Sequence, residues 1–221
     1  MLYEDIKNSK YFVKTYNKIE KIKKDFYVNH GFVHVNNVFN NGERLAKTFG
    51  LTELEKERLL VACLLHDVGY LKGRDNHACN GSVMVREYLK KRGVCGECID
   101  VICSAVANHG GKKESDFFNK VSFCLIAADK LDFVCNRYDS LLLKDESKRR
   151  IFLNVLDTYI DYCGKLLVLN IVVKKDFQTD LFENSKYFVK LDVFLGYLSK
   201  RLGCEYRVDY IFKYIFLLFC L

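Results

Sequence analysis

Only five histidines occur among the 221 residues: His30, His34, His66, His77 and His109. His66 ends the apolar run Leu59-Leu60-Val61-Ala62-Cys63-Leu64-Leu65 and is followed at once by Asp67. A second carboxylate, Asp129, follows the equally apolar Phe123-Cys124-Leu125-Ile126-Ala127-Ala128. Imidazole nitrogens and carboxylate oxygens are the ligands with which proteins hold Zn, Fe, Mn, Ni or Co. A carboxylate among buried side chains is costly unless it is paired or bound to a metal. The ordered set His34, His66-Asp67, His77, His109, Asp129 therefore suggests a metal centre. Taken alone, His66-Asp67 also fits an ordinary helix end, with His66 near the terminal carbonyls and Asp67 in solvent. His77 equally fits an N-terminal helix residue, and His109 a capping residue beside Gly110.

Several elements must bring these residues together. Proline is absent, so glycines and capping residues punctuate the chain. A first helix is expected over about 3–24. A second is expected over about 31–49, with Val35, Val38, Phe39, Leu45 and Phe49 on one stripe and Gly50 just past its end. Thr52 and Glu55 form a Thr-x-x-Glu capping box that opens a helix running to His66-Asp67. Neighbouring helical residues point about 100° apart, so both reach one ion only if it lies beside the helix end. A loop from Gly69 to Asn76 follows, then helices over about 77–91, 97–108, 117–138 and 146–163. The composition then shifts to a β-branched strand over 166–173, a helix over about 186–202 ending near Gly203, and a second strand over 205–210. The expected fold is mostly α: a helical bundle over 1–165 with a small C-terminal α+β extension over 166–221 packed on it.

The local contexts are HVNNV around His34, ACLLHDVGY around His66-Asp67, NHACNGS around His77, ANHGG around His109 and AADKLD around Asp129. Over about residues 28–140 they resemble the HD superfamily of metal-dependent phosphohydrolases. The resemblance implies an HD-type bundle in which His34, His66, Asp67 and Asp129 bind a divalent transition metal, whether Fe, Mn, Zn, Ni or Co. His77 and His109 are similar in position to the extra histidines of the dinuclear HD branches. These branches include symmetrical diadenosine-tetraphosphate hydrolases and cyclic-dinucleotide phosphodiesterases. They imply a second ion, with Asp67 as the bridge. The cyclic-dinucleotide class usually adds paired histidines and a Gly-Tyr-Pro element, whereas this chain has a single His109 and no proline. The implied activity is hydrolysis of a phosphomonoester or phosphodiester of a nucleotide or other small phosphorylated metabolite by a metal-activated water. Asp67 would stand at the centre of the chemistry. Lys130, beside Asp129, and Arg137, about two helical turns further on, are the preferred cations for phosphoryl charge. His30, Lys72 and Arg74 are candidate substrate contacts. A non-catalytic HD-fold sensor of metal or nucleotide and a di-iron oxygenase on a related scaffold are the competing functions.

Composition narrows the remaining classes. Half of the residues are hydrophobic and 29% are charged, as in a globular core. No apolar run reaches the roughly 18 residues of a membrane span, and no signal-peptide core opens the chain, so a cytoplasmic protein is expected. The apolar stretch 214–221 reads as a buried terminal strand or helix. Among the ten cysteines, Cys63, Cys124, Cys135 and Cys163 lie in apolar patterns read as helical, which predicts reduced thiols and not a disulfide framework. Cys95 and Cys98 form a CxxC without a second such pair, which argues against a zinc ribbon. The net charge of +7 is dispersed, favouring a small anionic substrate over nucleic acid. No GxxxxGK[ST] loop is present.

Overall fold

The computed structural model describes residues 1–23 and 27–213. Two helices lie at the centre. Residues 59–65 of α4 (Glu53–Leu65) and 121–128 of α7 (Lys120–Lys130) are all buried, so neither helix has a solvent face there. Around them pack α1 (Leu2–Lys7), α2 (Lys10–Lys23), α3 (Phe32–Thr48), α5 (His77–Lys91) and α6 (Gly96–Asn108). The starts of both central helices are written locally. The Thr52 hydroxyl accepts from Glu55 N at 3.3 Å while the Glu55 carboxylate accepts from Thr52 N at 2.9 Å. The Asn119 side chain accepts from Ser122 N at 2.8 Å.

Three expected helices are corrected. The one over 3–24 breaks at Asn8-Ser9, because the Ser9 hydroxyl accepts from Phe12 N at 3.1 Å and starts α2 afresh. The helix expected to reach 138 stops at Lys130. Beyond it Asp132 leaves the helical path to bond His34 and Asn37, followed by a 3₁₀ turn, Cys135–Arg137. The helix expected over 146–163 is a short α8 (Glu146–Phe152) followed by strand β1 (Val155–Tyr162). Val155, Thr158, Tyr159, Ile160 and Tyr162 are β-branched or aromatic and suit a pleated surface better than a helix.

β1 pairs antiparallel with β2 (Leu166–Lys174), from Val155 opposite Val173 to Tyr162 opposite Leu167. β2 pairs in parallel with β3 (Glu205–Lys213), giving the order β1-β2-β3. A parallel partner requires a crossover, and α9 (Thr179–Glu183) and α10 (Lys186–Leu202) supply it. Central β2 is buried from 167 to 173, so its sequence runs apolar instead of alternating. The fold is therefore mostly α: a helical bundle carrying a small α+β extension. The expectation for 214–221 lies outside the described residues. Among those residues no helix is long and apolar enough to cross a membrane. Nine described cysteines are unbridged; Cys63 and Cys124 are buried, while Cys163 is exposed just beyond β1 and not on a helix.

Candidate metal centre

α4, α6 and α7 all terminate at one place. His66 follows the last residue of α4, His109 follows the last residue of α6, and Asp129 lies in the final turn of α7. Helix C-termini carry partial negative charge, so three of them together favour a cation. His34 comes from the first turn of α3 and His77 opens α5. Close approach of α5 depends on Gly69. A Cβ there would stand 1.9 Å from the His77 carbonyl oxygen and 2.5 Å from Gly81 N.

His34, His66 and Asp67 are buried, as is His109; His30, His77 and Asp129 are partly exposed. His34 Nε2 lies 3.0 Å from His66 Nε2, 3.3 Å from Asp67 Oδ2 and 3.5 Å from Asp129 Oδ1. His66 Nε2 is 3.4 Å from Asp67 Oδ2. The other carboxylate oxygen faces a second pair. Asp67 Oδ1 is 3.6 Å from both His77 Nε2 and His109 Nε2, which are themselves 3.1 Å apart. His30 Nδ1 approaches Asp67 Oδ2 at 3.4 Å. Three overlapping groups could thus each hold an ion: His34-His66-Asp129, Asp67-His77-His109 and His30-His34-Asp67.

The remote ring nitrogens test whether a metal fits. His66 Nδ1 lies 2.9 Å from the Cys63 carbonyl, His77 Nδ1 2.9 Å from that of Arg74, and His109 Nδ1 2.7 Å from that of Val106. A carbonyl only accepts, so each Nδ1 carries a proton, and each of these imidazoles, when neutral, presents its lone pair at Nε2. His34 Nδ1 is likewise held by the Asp132 carboxylate at 2.5 Å. Two pairs of Nε2 atoms therefore meet head to head, and each pair needs a proton or a metal ion between them. Ligands about 2.1 Å from an ion and at right angles to one another stand about 3.0 Å apart, close to both imidazole spacings. The residues fit a metal.

The electrostatics agree. Burial disfavours charge on His66, yet Asp67 and Asp129 outweigh it and raise its pKa to about 9. Burial would likewise raise Asp67, but His66 and the other histidines hold it well below the usual carboxylate range. Asp129 is also held low, against its burial, by Lys130 first and then His34 and His66. Burial lowers His30 and His77 despite the Asp67 carboxylate.

A cleft of about 470 Å³ opens onto this cluster. His30, Asp67, His77, His109 and Asp129 line it, together with the predicted cations Lys130 and Arg137. Lys130 Nζ lies 3.8 Å from Asp129 Oδ2, and Arg137 Nε lies 3.5 Å from Asp132 Oδ2. Arg74 lines an adjoining groove that shares Tyr70, His77 and Lys112 with the cleft. Lys72 is exposed and lines neither.

Four participants escaped the sequence reading. Asp132, fully buried, fixes His34 and accepts from Asn37 Nδ2 at 2.7 Å. Its signal was a second aspartate just after Asp129, in AADKLD. Tyr70 stacks on His77 at 4.3 Å with the rings 18° apart, and lies 4.7 Å from the His30 ring. Lys112 and Lys190 line the cleft, and nothing in their local sequence marked them.

No curated protein matches the chain. The family model described as HD domain matches residues 31–159, more than half of the 221. Members of that superfamily are generally metal-dependent phosphohydrolases. The matched stretch holds His34, His66, Asp67, His77, His109, Asp129 and Asp132, the same residues that converge here on one cation-seeking point. By that match and this geometry together, the chain belongs to the HD-domain family.

Proposed function

We propose that this HD-domain protein is a metal-dependent phosphohydrolase that cleaves a phosphomonoester or phosphodiester bond of a nucleotide or other small phosphorylated metabolite. The observation that carries this reading is the two-sided use of Asp67, whose Oδ2 faces His34 and His66 while Oδ1 faces His77 and His109. His34, His66, Asp67 and Asp129 would hold one divalent transition metal ion; Asp67, His77 and His109 would hold a second. When bound, such ions lower the pKa of water towards about 7 and polarise a phosphoryl oxygen.

The chain's own residues supply the rest. Lys130 and Arg137, at the cleft beside Asp129 and Asp132, offer donors to the non-bridging phosphoryl oxygens, where negative charge accumulates. Asp132 holds Arg137 as well as His34, so one buried carboxylate sets both a metal ligand and a phosphate donor. With its pKa lowered by burial, His30 is neutral near pH 7. Donation from Nδ1 to Asp67 Oδ2 leaves its Nε2 to accept a proton at the cleft. The cationic lining supports a phosphate ester over dioxygen as the reactant, and turnover separates an enzyme from a sensor.

The test joins metal analysis of the purified protein to a screen of phosphomonoesters and phosphodiesters. Bound transition metal and hydrolysis are expected together. Joint replacement His66→Ala, Asp67→Ala should abolish both, since those ligands carry the metal's binding energy. The pair His77→Ala, His109→Ala should keep one ion and lose most turnover. Full metal occupancy in the first double variant, or parental rates in the second, would refute the assignment.

A further inference from the structure

One wall of the cleft lies outside the HD-domain match. Val189, Lys190 and Val193 line it, and all three belong to α10 in the C-terminal extension. On a helix these positions fall within an arc of about 100°, so they form one face. The opposite face is spent on packing, with Leu191, Phe194, Leu195 and Leu198 buried. Yet Val189 is 58% and Val193 47% exposed, an apolar pair left in solvent beside a catalytic cleft.

The wall is anchored at both ends. Tyr187 Oη donates to the Lys130 carbonyl at 3.1 Å, tying the start of α10 to the turn that carries Asp129. Arg201 Nη2 donates to the Phe118 carbonyl at 3.1 Å, and Lys200 Nζ lies 2.7 Å from Glu114 Oε2. These contacts fix both ends of α10 to the helical bundle.

The charges are unequal in their partners. Lys130 and Arg137 each face an aspartate of the site. Lys112 and Lys190 line the same cleft and have no carboxylate within ion-pair distance among the described residues. A single phosphoryl group is already provided for by the metal ligands, Lys130 and Arg137. Two further cations in a concave site are complementary to a further anion.

Resting on the phosphohydrolase reading above, we infer that the substrate is an organic phosphate bearing a second anionic group, which Lys190 and Lys112 bind while Val189 and Val193 cover its apolar portion. The α10 wall thereby sets specificity for chemistry performed by the HD bundle. The second anion is a phosphate or a carboxylate, both of which a lysine ammonium recognises.

The test uses the full chain, supplemented with Mn²⁺, and four inert probes: methylphosphonate, phosphonoacetate, methylenebisphosphonate and benzylphosphonate. Affinity is read by calorimetry or by competition against hydrolysis. Wild type should bind at least one doubly anionic probe about tenfold more tightly than methylphosphonate, the scale of a charge-assisted hydrogen bond. Which of the two is preferred separates phosphate from carboxylate. Lys190→Ala should collapse that ratio to below about threefold, whereas Lys165→Ala, an exposed lysine between β1 and β2 that does not line the cleft, should preserve it. Val189→Ser with Val193→Ser should cut the benzylphosphonate-to-methylphosphonate ratio by about fivefold. All three variants alter exposed positions, and an unchanged melting temperature verifies their folding. No preference for a second anion in wild type, or a preference that survives Lys190→Ala, overturns the inference. A Lys190-dependent preference without hydrolysis of any ester would sustain the second-anion site on α10 and refute the phosphohydrolase reading on which the word substrate rests.

Discussion

At the scale of single residues, the centre depends on hydrogen bonds made away from it. Asp132 holds His34 Nδ1 at 2.5 Å and so decides which nitrogen of that ring stays bare. Asp132→Asn is expected to weaken metal binding by about 10- to 100-fold while leaving every direct ligand in place. Chelator competition measures this, and unchanged affinity would mean that the His34 tautomer is set by something else. Proton competition gives a second expectation. With its pKa raised to about 9 from the ordinary 6.5, His66 keeps a proton that an ion must displace. Apparent metal affinity should therefore climb with pH up to about 9. In chelator-treated protein the raised pKa contributes stability that is fully present below 6.5 and is lost as pH rises through about 9. The depressed Asp67 and Asp129 act in the opposite sense, stabilising above the ordinary 3.8 and losing that contribution as pH falls. Denaturation midpoints across this range check both signs: a metal-free protein that gains stability between pH 7 and pH 9 would contradict the first, and one that gains stability as pH falls below 3.8 the second.

Between elements, the closest approach is the one Gly69 allows, where the turn after Asp67 meets the start of α5. Any Cβ at Gly69 collides with backbone of His77 and Gly81, which cannot yield as a side chain can. Gly69→Ala should push α5 away, costing about 1–3 kcal/mol of stability and separating His77 from Asp67. The expected readout is loss of the second ion with retention of the first. The contrast is Thr52→Ala at the far end of α4, which removes the capping box for about 1 kcal/mol. It should leave metal content unchanged, because the His66-Asp67 end of α4 is held by its buried residues 59–65. Equal loss of metal in both variants would show that metal content tracks overall stability and not the α5 approach.

Across the whole molecule, a single apolar core runs from Tyr3 in α1 to Leu198 in α10. The extension shares aromatic contacts with the bundle: Phe133 stacks on Phe182 at 5.8 Å, and Phe117 meets Phe194 at 6.1 Å. Thr158 in β1 lies against the bundle as well, donating to the Leu131 carbonyl at 2.5 Å. A shared core of this kind should unfold as one cooperative unit. Thermal unfolding followed by tryptophan-independent probes, such as far-ultraviolet dichroism and tyrosine fluorescence, should give coincident transitions. Two resolved transitions, with the sheet melting apart from the helices, would make the extension an independent domain.

The candidate ligands stand out in the chain alone, for a local reason. A histidine or aspartate at the end of an apolar run is conspicuous wherever the run folds, and His66-Asp67 and Asp129 both sit there. The capping box at Thr52 and the bounds of α10 are equally local, the latter set by the Ser185 hydroxyl, which accepts from Phe188 N, and by left-handed Gly203. Tertiary structure decided the rest. The eight residues of β1 carry no decisive period, so the expected helix over 146–163 runs through them; pairing with β2 makes them a strand. Which oxygen of Asp67 meets which pair of histidines depends on where α3, α5 and α6 end in space. Asp132 and Lys190 acquire their roles from partners far along the chain, His34 for the one and the cleft walls for the other. Contacts between distant residues leave no periodicity and no spacing behind, so only the folded chain displays them.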